Sequence, residues 1–157
     1  MNFKKVNFPD NFNPSNCLVY AKNELNINAP AEVIWNWLIN ATTWPEWYPN
    51  SSNIKILDQK EQVLTSNSAF KWRTFKTNIK SKIKQFEPYK HLAWEAKGTG
   101  LNAYHGWLII PNDKGCNVIT EETQYGFLPS IGRGLITKGL LKQHQIWLEG
   151  LKRKSES

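Results

Sequence analysis

The sequence has little of what most chemistry-bearing motifs require. Its 157 residues include only two cysteines, Cys17 and Cys116, and three histidines. No CxxC pair exists, and no Cys/His group has the spacing of a zinc site. Two free thiols in a reducing compartment is the simplest account of the cysteines. There is no GxSxG, HExxH or P-loop, and Gly132-Arg133-Gly134 is too short to cradle a phosphate. No run approaches the roughly 18 apolar residues of a membrane helix. Lys4 and Lys5 are not followed by the apolar core of a signal peptide. The resulting expectations are a cytoplasmic protein with no membrane span, no metal and no cofactor.

What is present is a foldable composition with a surplus of large rings. Hydrophobic residues make up 40%, enough to exclude a disordered chain, and eight residues are Trp. Leu, Ile and Val fill a core without an indole N–H to satisfy, so so many Trp rings suit a cavity whose walls stack on a ligand. The net charge of +7 admits acidic partners. Lys71, Arg73, Lys80, Lys82 and Lys84 read as a solvated outer face. Nucleic-acid binding needs exposed aromatics among such charges. Alternation sends most of the nearby rings, Phe70 and Trp72 among them, to the opposite side, so no nucleic-acid partner is expected.

The chain reads as one domain, 1–157, with an irregular leader over 1–15. Leu18 to Ile27 reads as a strand. Asn28-Ala-Pro30-Ala-Glu32 opens a helix, with Pro and Glu in the first turn, and Val33, Ile34, Trp37 and Leu38 share one face. It stops near Asn40. Thr43 to Pro49 is a short aromatic helix or turn fenced by prolines. From Ile54 to Tyr125 the period becomes two: strands at Ile54–Leu57, Ala69–Phe75, Thr77–Phe86, His91–Lys97, Leu101–Ile110 and Cys116–Tyr125, and another at Gln62–Leu64. Pro111 to Gly115 reads as a hairpin loop. A long helix spans 133–153, with Ile136, Leu140, Trp147 and Leu151 near one face and Lys152, Arg153 and Lys154 at its C-terminal end. This order predicts an α+β protein in which a curved antiparallel sheet wraps a long C-terminal helix, with two short helices after the first strand. The space between sheet and helix is the natural pocket.

Asn28-Ala-Pro-Ala-Glu-Val-Ile-Trp35 followed by Trp44-Pro-Glu-Trp47 resembles the opening of START-like proteins of the SRPBCC superfamily. His105-Gly-Trp107 with Thr120-Glu-Glu-Thr-Gln-Tyr-Gly126 resembles the later part of its polyketide cyclase/dehydrase-like branch. The resemblance covers about Leu18 to Leu151. It implies a helix-grip fold and an apolar ligand, lipid-, sterol- or polyketide-like, beneath the C-terminal helix. It also implies two alternatives: a cyclase/dehydratase-type enzyme, or an interaction module similar to the activator of the heat-shock ATPase. The expected partner is a small hydrophobic molecule, and the expected state a monomer or weak homodimer.

A regular hairpin with Ile110 opposite Asn117 sets Trp107 against Thr120 and His105 against Glu122. A His–carboxylate pair in a pocket would be a candidate acid–base couple, so His105 and Glu122 are the catalytic candidates. The same pair in a structural role would tie two strands together. A one-residue bulge would send both to the other face, which carries Tyr104, Leu108, Ile110 and Ile119, so pattern alone leaves the inner face open. Trp72 and Trp94, with Leu140, His144 and Trp147 on the helix, complete the expected lining. Trp44 and Trp47, beside Tyr48, would either gate the mouth or plug the space between helix and sheet. A lone His such as His144 on an apolar helix face is most often a satisfied core residue.

Overall fold

The structure, a computed structural model, describes residues 5–157. After a one-turn 3₁₀ helix in the leader (Asp10–Phe12), the elements run β1 (Val19–Ile27), α1 (Ala31–Ile39), a 3₁₀ helix (Ala41–Glu46), β2 (Ser52–Leu57), β3 (Ala69–Thr74), β4 (Thr77–Glu87), β5 (His91–Gly98), β6 (Leu101–Asn112), β7 (Gly115–Tyr125) and α2 (Phe127–Glu156). The seven strands form one antiparallel sheet in the order β1-β7-β6-β5-β4-β3-β2. β2 to β7 form a meander, and β1 closes onto β7. The two edge strands are therefore consecutive in the chain. The link carrying α1 and the 3₁₀ helix must cross from one edge to the other, and it covers one end of the sheet. This is the α+β helix-grip arrangement expected.

Curvature comes from irregular pairing. Between Ile83 and Gln85 the β4–β5 register slips by one residue, leaving Lys84 extra on β4. Ile83 and Phe86, three apart, consequently both pack on the inner core, and such a bulge deepens strand twist. α2 lies in the resulting concavity. Its anchor is Trp147, stacked face to face on Tyr48 at 4.2 Å and edge-on to Trp44 and Trp107 at 5.0 Å each.

Several boundaries differ from expectation. The C-terminal helix starts at Phe127, not near 133, and runs to Glu156. Pro129 falls in its first turn, where the missing N–H has no intrahelical partner to lose. Gly132 (φ −121°, ψ 19°) kinks it there. Gln62–Leu64 is loop, tied down by the Leu64 N–H donating to the Ile39 carbonyl. β6 continues through Pro111 to Asn112, so the β6–β7 turn is only Asp113-Lys114. Pro111 is tolerated because it lies past the end of β5 and owes no ladder bond on that side. On α1 the buried face is Ile34, Trp35 and Leu38, while Val33 is exposed. Trp35 turns inward because it packs edge-on against Phe86 at 5.0 Å.

The leader has a structural task. Residues 1–4 lie outside those described, but from Lys5 onward the chain runs across the outer face of β6 and β7. Val6 lies over Gly106, where any Cβ would collide with it. The Val6 N–H and the Tyr20 hydroxyl both donate to the Glu121 carboxylate at 2.5 Å, and Thr123 donates to the Phe12 carbonyl at 2.8 Å. Phe8 and Phe12 pack on Tyr104.

The seating of α2 is testable at Gly150, where a Cβ would meet the Trp47 backbone carbonyl. Backbone cannot step aside as a side-chain tip can. Gly150→Ala is expected to lower unfolding free energy by about 2 kcal/mol in urea denaturation, in the range of core overpacking; an unchanged midpoint would refute this packing.

Candidate functional site

The hairpin register is the expected one: Ile110 faces Asn117, Trp107 faces Thr120 and His105 faces Glu122. Both members of the pair lie on the inner face, and the outer-face apolar residues Tyr104, Leu108 and Ile119 are those under the leader. Pattern alone left the inner face open because both faces of this hairpin are covered.

Inside, a cavity of about 310 Å³ lies between the concave sheet and α2. It exists because facing positions are small. Ala96 on β5 and Ala103 on β6 are directly paired, and Gly139 on α2 lines the same space, facing the Phe75 ring. Trp72, Trp94, Trp147, Ile79 and Leu140 supply much of its apolar wall. The Trp72 indole donates to Ser81 at 3.1 Å, which fixes its ring. The indole N–H of Trp147 has no acceptor among the described residues.

One wall is polar. His105 from β6, Glu122 from β7 and His144 from α2 are all buried and converge there. His144 Nε2 lies 3.0 Å and His105 Nδ1 3.3 Å from the same carboxylate oxygen, Glu122 Oε2. The other oxygen accepts from Gln124 at 2.7 Å. His105 Nε2 contacts the Thr120 hydroxyl at 2.7 Å. Burial drives the His105 imidazole down to about 3, against the opposing pull of the Glu122 carboxylate, so it is neutral at physiological pH. Burial pushes Glu122 up, but the hydrogen bond from His144, the electrostatic pull of the two imidazoles beside it and the hydrogen bond from Gln124 outweigh it, and its carboxyl sits below the usual value. The site is a buried carboxylate with neutral imidazole beside it, at the end of an apolar chamber.

Of the expected lining residues, Trp72, Trp94, His105, Glu122, Leu140, His144 and Trp147 reach the cavity. Trp44, Trp47, Trp107 and Thr120 do not. Trp44 is a core plug whose indole donates to the Leu38 carbonyl. Trp47 donates to Thr43 and backs onto Gly150. Trp107 stacks behind His105 at 5.5 Å, and Thr120 serves the cavity through His105. Sequence reasoning missed Gln124, although Thr120, Glu122 and Gln124 share strand parity. It also missed Ala96, Ala103 and Gly139, whose contribution is the absence of bulk. Phe75 gave no turn signal: Phe75 and Lys76 both have positive φ (48° and 59°), in a two-residue hairpin turn that usually takes Asn-Gly. Asn50 holds this turn by accepting the Phe75 N–H at 2.9 Å, and Asn50 also donates to the Tyr48 hydroxyl.

Residues 21–156 match the family described as polyketide cyclase / dehydrase and lipid transport. The chain belongs to this family. No curated protein matches it. Among solved structures it is similar to a hypothetical protein from Helicobacter pylori, with a TM-score of 0.90 at 25% identity over 99% of this chain and 98% of that one. It is also similar to the Zhui aromatase/cyclase from a Streptomyces species (TM-score 0.76, 11% identity, 87% and 93% covered). A START superfamily protein from Mycobacterium smegmatis gives a TM-score of 0.71 at 13% identity, with 87% and 97% covered. At such identities the last two establish the fold alone. Family membership supports hydrophobic-ligand binding or cyclase-type chemistry without choosing between them. Among the described residues no helix is long and apolar enough to cross a membrane.

The polar wall makes stability pH-dependent. In the unfolded chain His105 protonates near 6.5, whereas in the native state it stays neutral to about 3. Between those values the unfolded state binds more protons, so stability falls as pH falls. Glu122, whose native value lies below 4.5, acts in the same direction in its lower window. Melting temperature in EDTA buffer should therefore drop from pH 6.5 downward, and the drop between 6.5 and 4.5 should be shallower in His105→Gln; identical slopes would contradict the assignment.

Proposed function

We propose that this protein binds a small apolar or aromatic molecule in the cavity between sheet and α2, with an oxygen-bearing end of the ligand directed at the His105–Glu122–His144 wall. The observation that carries the reading is the cavity itself: about 310 Å³, walled by indoles and aliphatic side chains, with polar groups gathered on one side. Pockets of this kind, mostly apolar with a few convergent polar groups, are the usual form of a small-molecule site. Trp147 lines the cavity and its indole N–H has no acceptor among the described residues, so it is free to donate to an acceptor atom of a ligand. A family described by both lipid transport and cyclase chemistry is consistent with an apolar ligand.

A cyclase/dehydratase-type enzyme is the second reading. The ionised Glu122 carboxylate and the neutral His105 ring reach the same cavity and can in principle take and return a proton there. On that reading Glu122→Gln removes turnover while leaving ligand affinity in place.

The binding reading is tested by filling the space. Ala103→Phe places a ring where the cavity now lies. It should weaken binding of the neutral fluorophore N-phenylnaphthylamine by at least about 10-fold, equivalent to about 1.4 kcal/mol. The melting temperature should not fall, because the ring enters empty space. Wild-type protein that neither enhances the probe's emission nor changes its own Trp fluorescence would overturn the proposal.

A further inference from the structure

The geometry points to a metal site: His105 Nδ1, His144 Nε2 and a Glu122 carboxylate oxygen together bind one first-row divalent transition-metal ion, with its remaining coordination positions open to the cavity. The three donor groups lie within 4.8 Å of one another, and all three residues are buried. An ion about 2.1 Å from each donor needs donors roughly 3.0 to 3.5 Å apart. The two measured separations, 3.0 and 3.3 Å, are of that size. Two imidazoles and one carboxylate favour zinc, iron, cobalt or nickel over calcium or magnesium, which prefer all-oxygen sites. Three protein donors leave room for a ligand oxygen or water, the arrangement of a reactive rather than a purely structural site.

The hydrogen-bond arrangement is compatible with an ion. A metal takes neutral imidazole and ionised carboxylate, and the hydrogen bonds around these three side chains allow both. Without an ion, the Nδ1–H of His105 and the Nε2–H of His144 donate to Glu122, and the Thr120 O–H donates to His105 Nε2. With an ion, both rings change tautomer. His105 Nε2–H then donates to Thr120 Oγ1, a hydroxyl able to play either part, and His144 carries its proton on Nδ1, which is unpaired among the described residues and is left free to carry it. The Gln124 amide holds the second carboxylate oxygen at 2.7 Å. Metal-ligating groups are oriented by such outer hydrogen bonds. The three donors come from β6, β7 and α2, so no spacing along the chain announces them.

This inference does not depend on the apolar-ligand reading. EDTA-stripped protein titrated with Co²⁺ alone, without any organic probe, separates the two. Uptake of cobalt without binding of N-phenylnaphthylamine leaves the metal site standing and removes the ligand reading; the opposite outcome does the reverse. The wild type should bind a single Co²⁺ per chain and develop visible d–d bands characteristic of low coordination number. Glu122→Gln and His144→Gln, both near-isosteric, should weaken cobalt binding by at least about 100-fold, and Thr120→Val by about 10-fold. Lys97→Gln, exposed on the outer sheet face, should change nothing. Circular dichroism and melting curves of each variant establish that it is folded; if the Gln variants fail to fold, Thr120→Val with the wild-type spectrum decides. Absence of d–d bands in the folded wild type, or cobalt affinity unchanged across the folded variants, overturns the proposal.

Discussion

A carboxylate buried inside an apolar chamber is tolerable only if its neighbours satisfy it. Glu122 is that group, and the arrangement around it follows from the need. Leaving such a charge short of donors costs roughly 3 kcal/mol or more. Here the donors arrive from three directions: Gln124 on its own strand, His105 on β6 and His144 on α2. The His144 contact is the one that reaches from helix to sheet. With the Asn23 amide donating to the Leu141 carbonyl and Lys152 donating to the Asn26 carbonyl, it ties α2 to the sheet on the side where Leu140 and Trp147 turn inward. The apolar packing at Trp147 supplies most of the holding force, and the polar contacts supply its orientation.

The outer face of the sheet explains a second feature. An antiparallel sheet with one wet face alternates cleanly, and β4 does so, with Lys80, Lys82 and Lys84 outward. β6 and β7 do not, because the leader lies over them. Val6, Phe8 and Phe12 cover Tyr104, Leu108 and Ile119, and Gly106 is where the leader comes closest. The sheet is thus one layer thick toward β2–β4 and sandwiched at β6–β7, the two strands that carry His105 and Glu122.

How much of this was legible in the sequence depends on whether a signal was local. The meander, the α+β class and the β6–β7 register followed from alternation and turn composition, whereas the pairing of β1 with β7 had no local signal. The pairing of His105 with Glu122 needed only one hairpin. His144 as the third member did not, because it rests on the docking of a helix whose start the glycines obscured. Four of the expected lining residues moved behind the wall for a related reason. Trp44 and Trp47 have the composition of a gate, but the link that carries them is pinned between the sheet edges, and their indoles are satisfied by the local backbone and Thr43. The void was illegible because Ala96, Ala103 and Gly139 create it by what they lack.

On the proposed function, the chamber between sheet and α2 holds a small molecule. Native mass spectrometry of the protein purified from its own host addresses that directly. The account predicts a folded population heavier than the chain by the mass of a small molecule, released on denaturation and missing from Ala103→Phe. Only the mass of the bare chain, in wild type and variant alike, would contradict it.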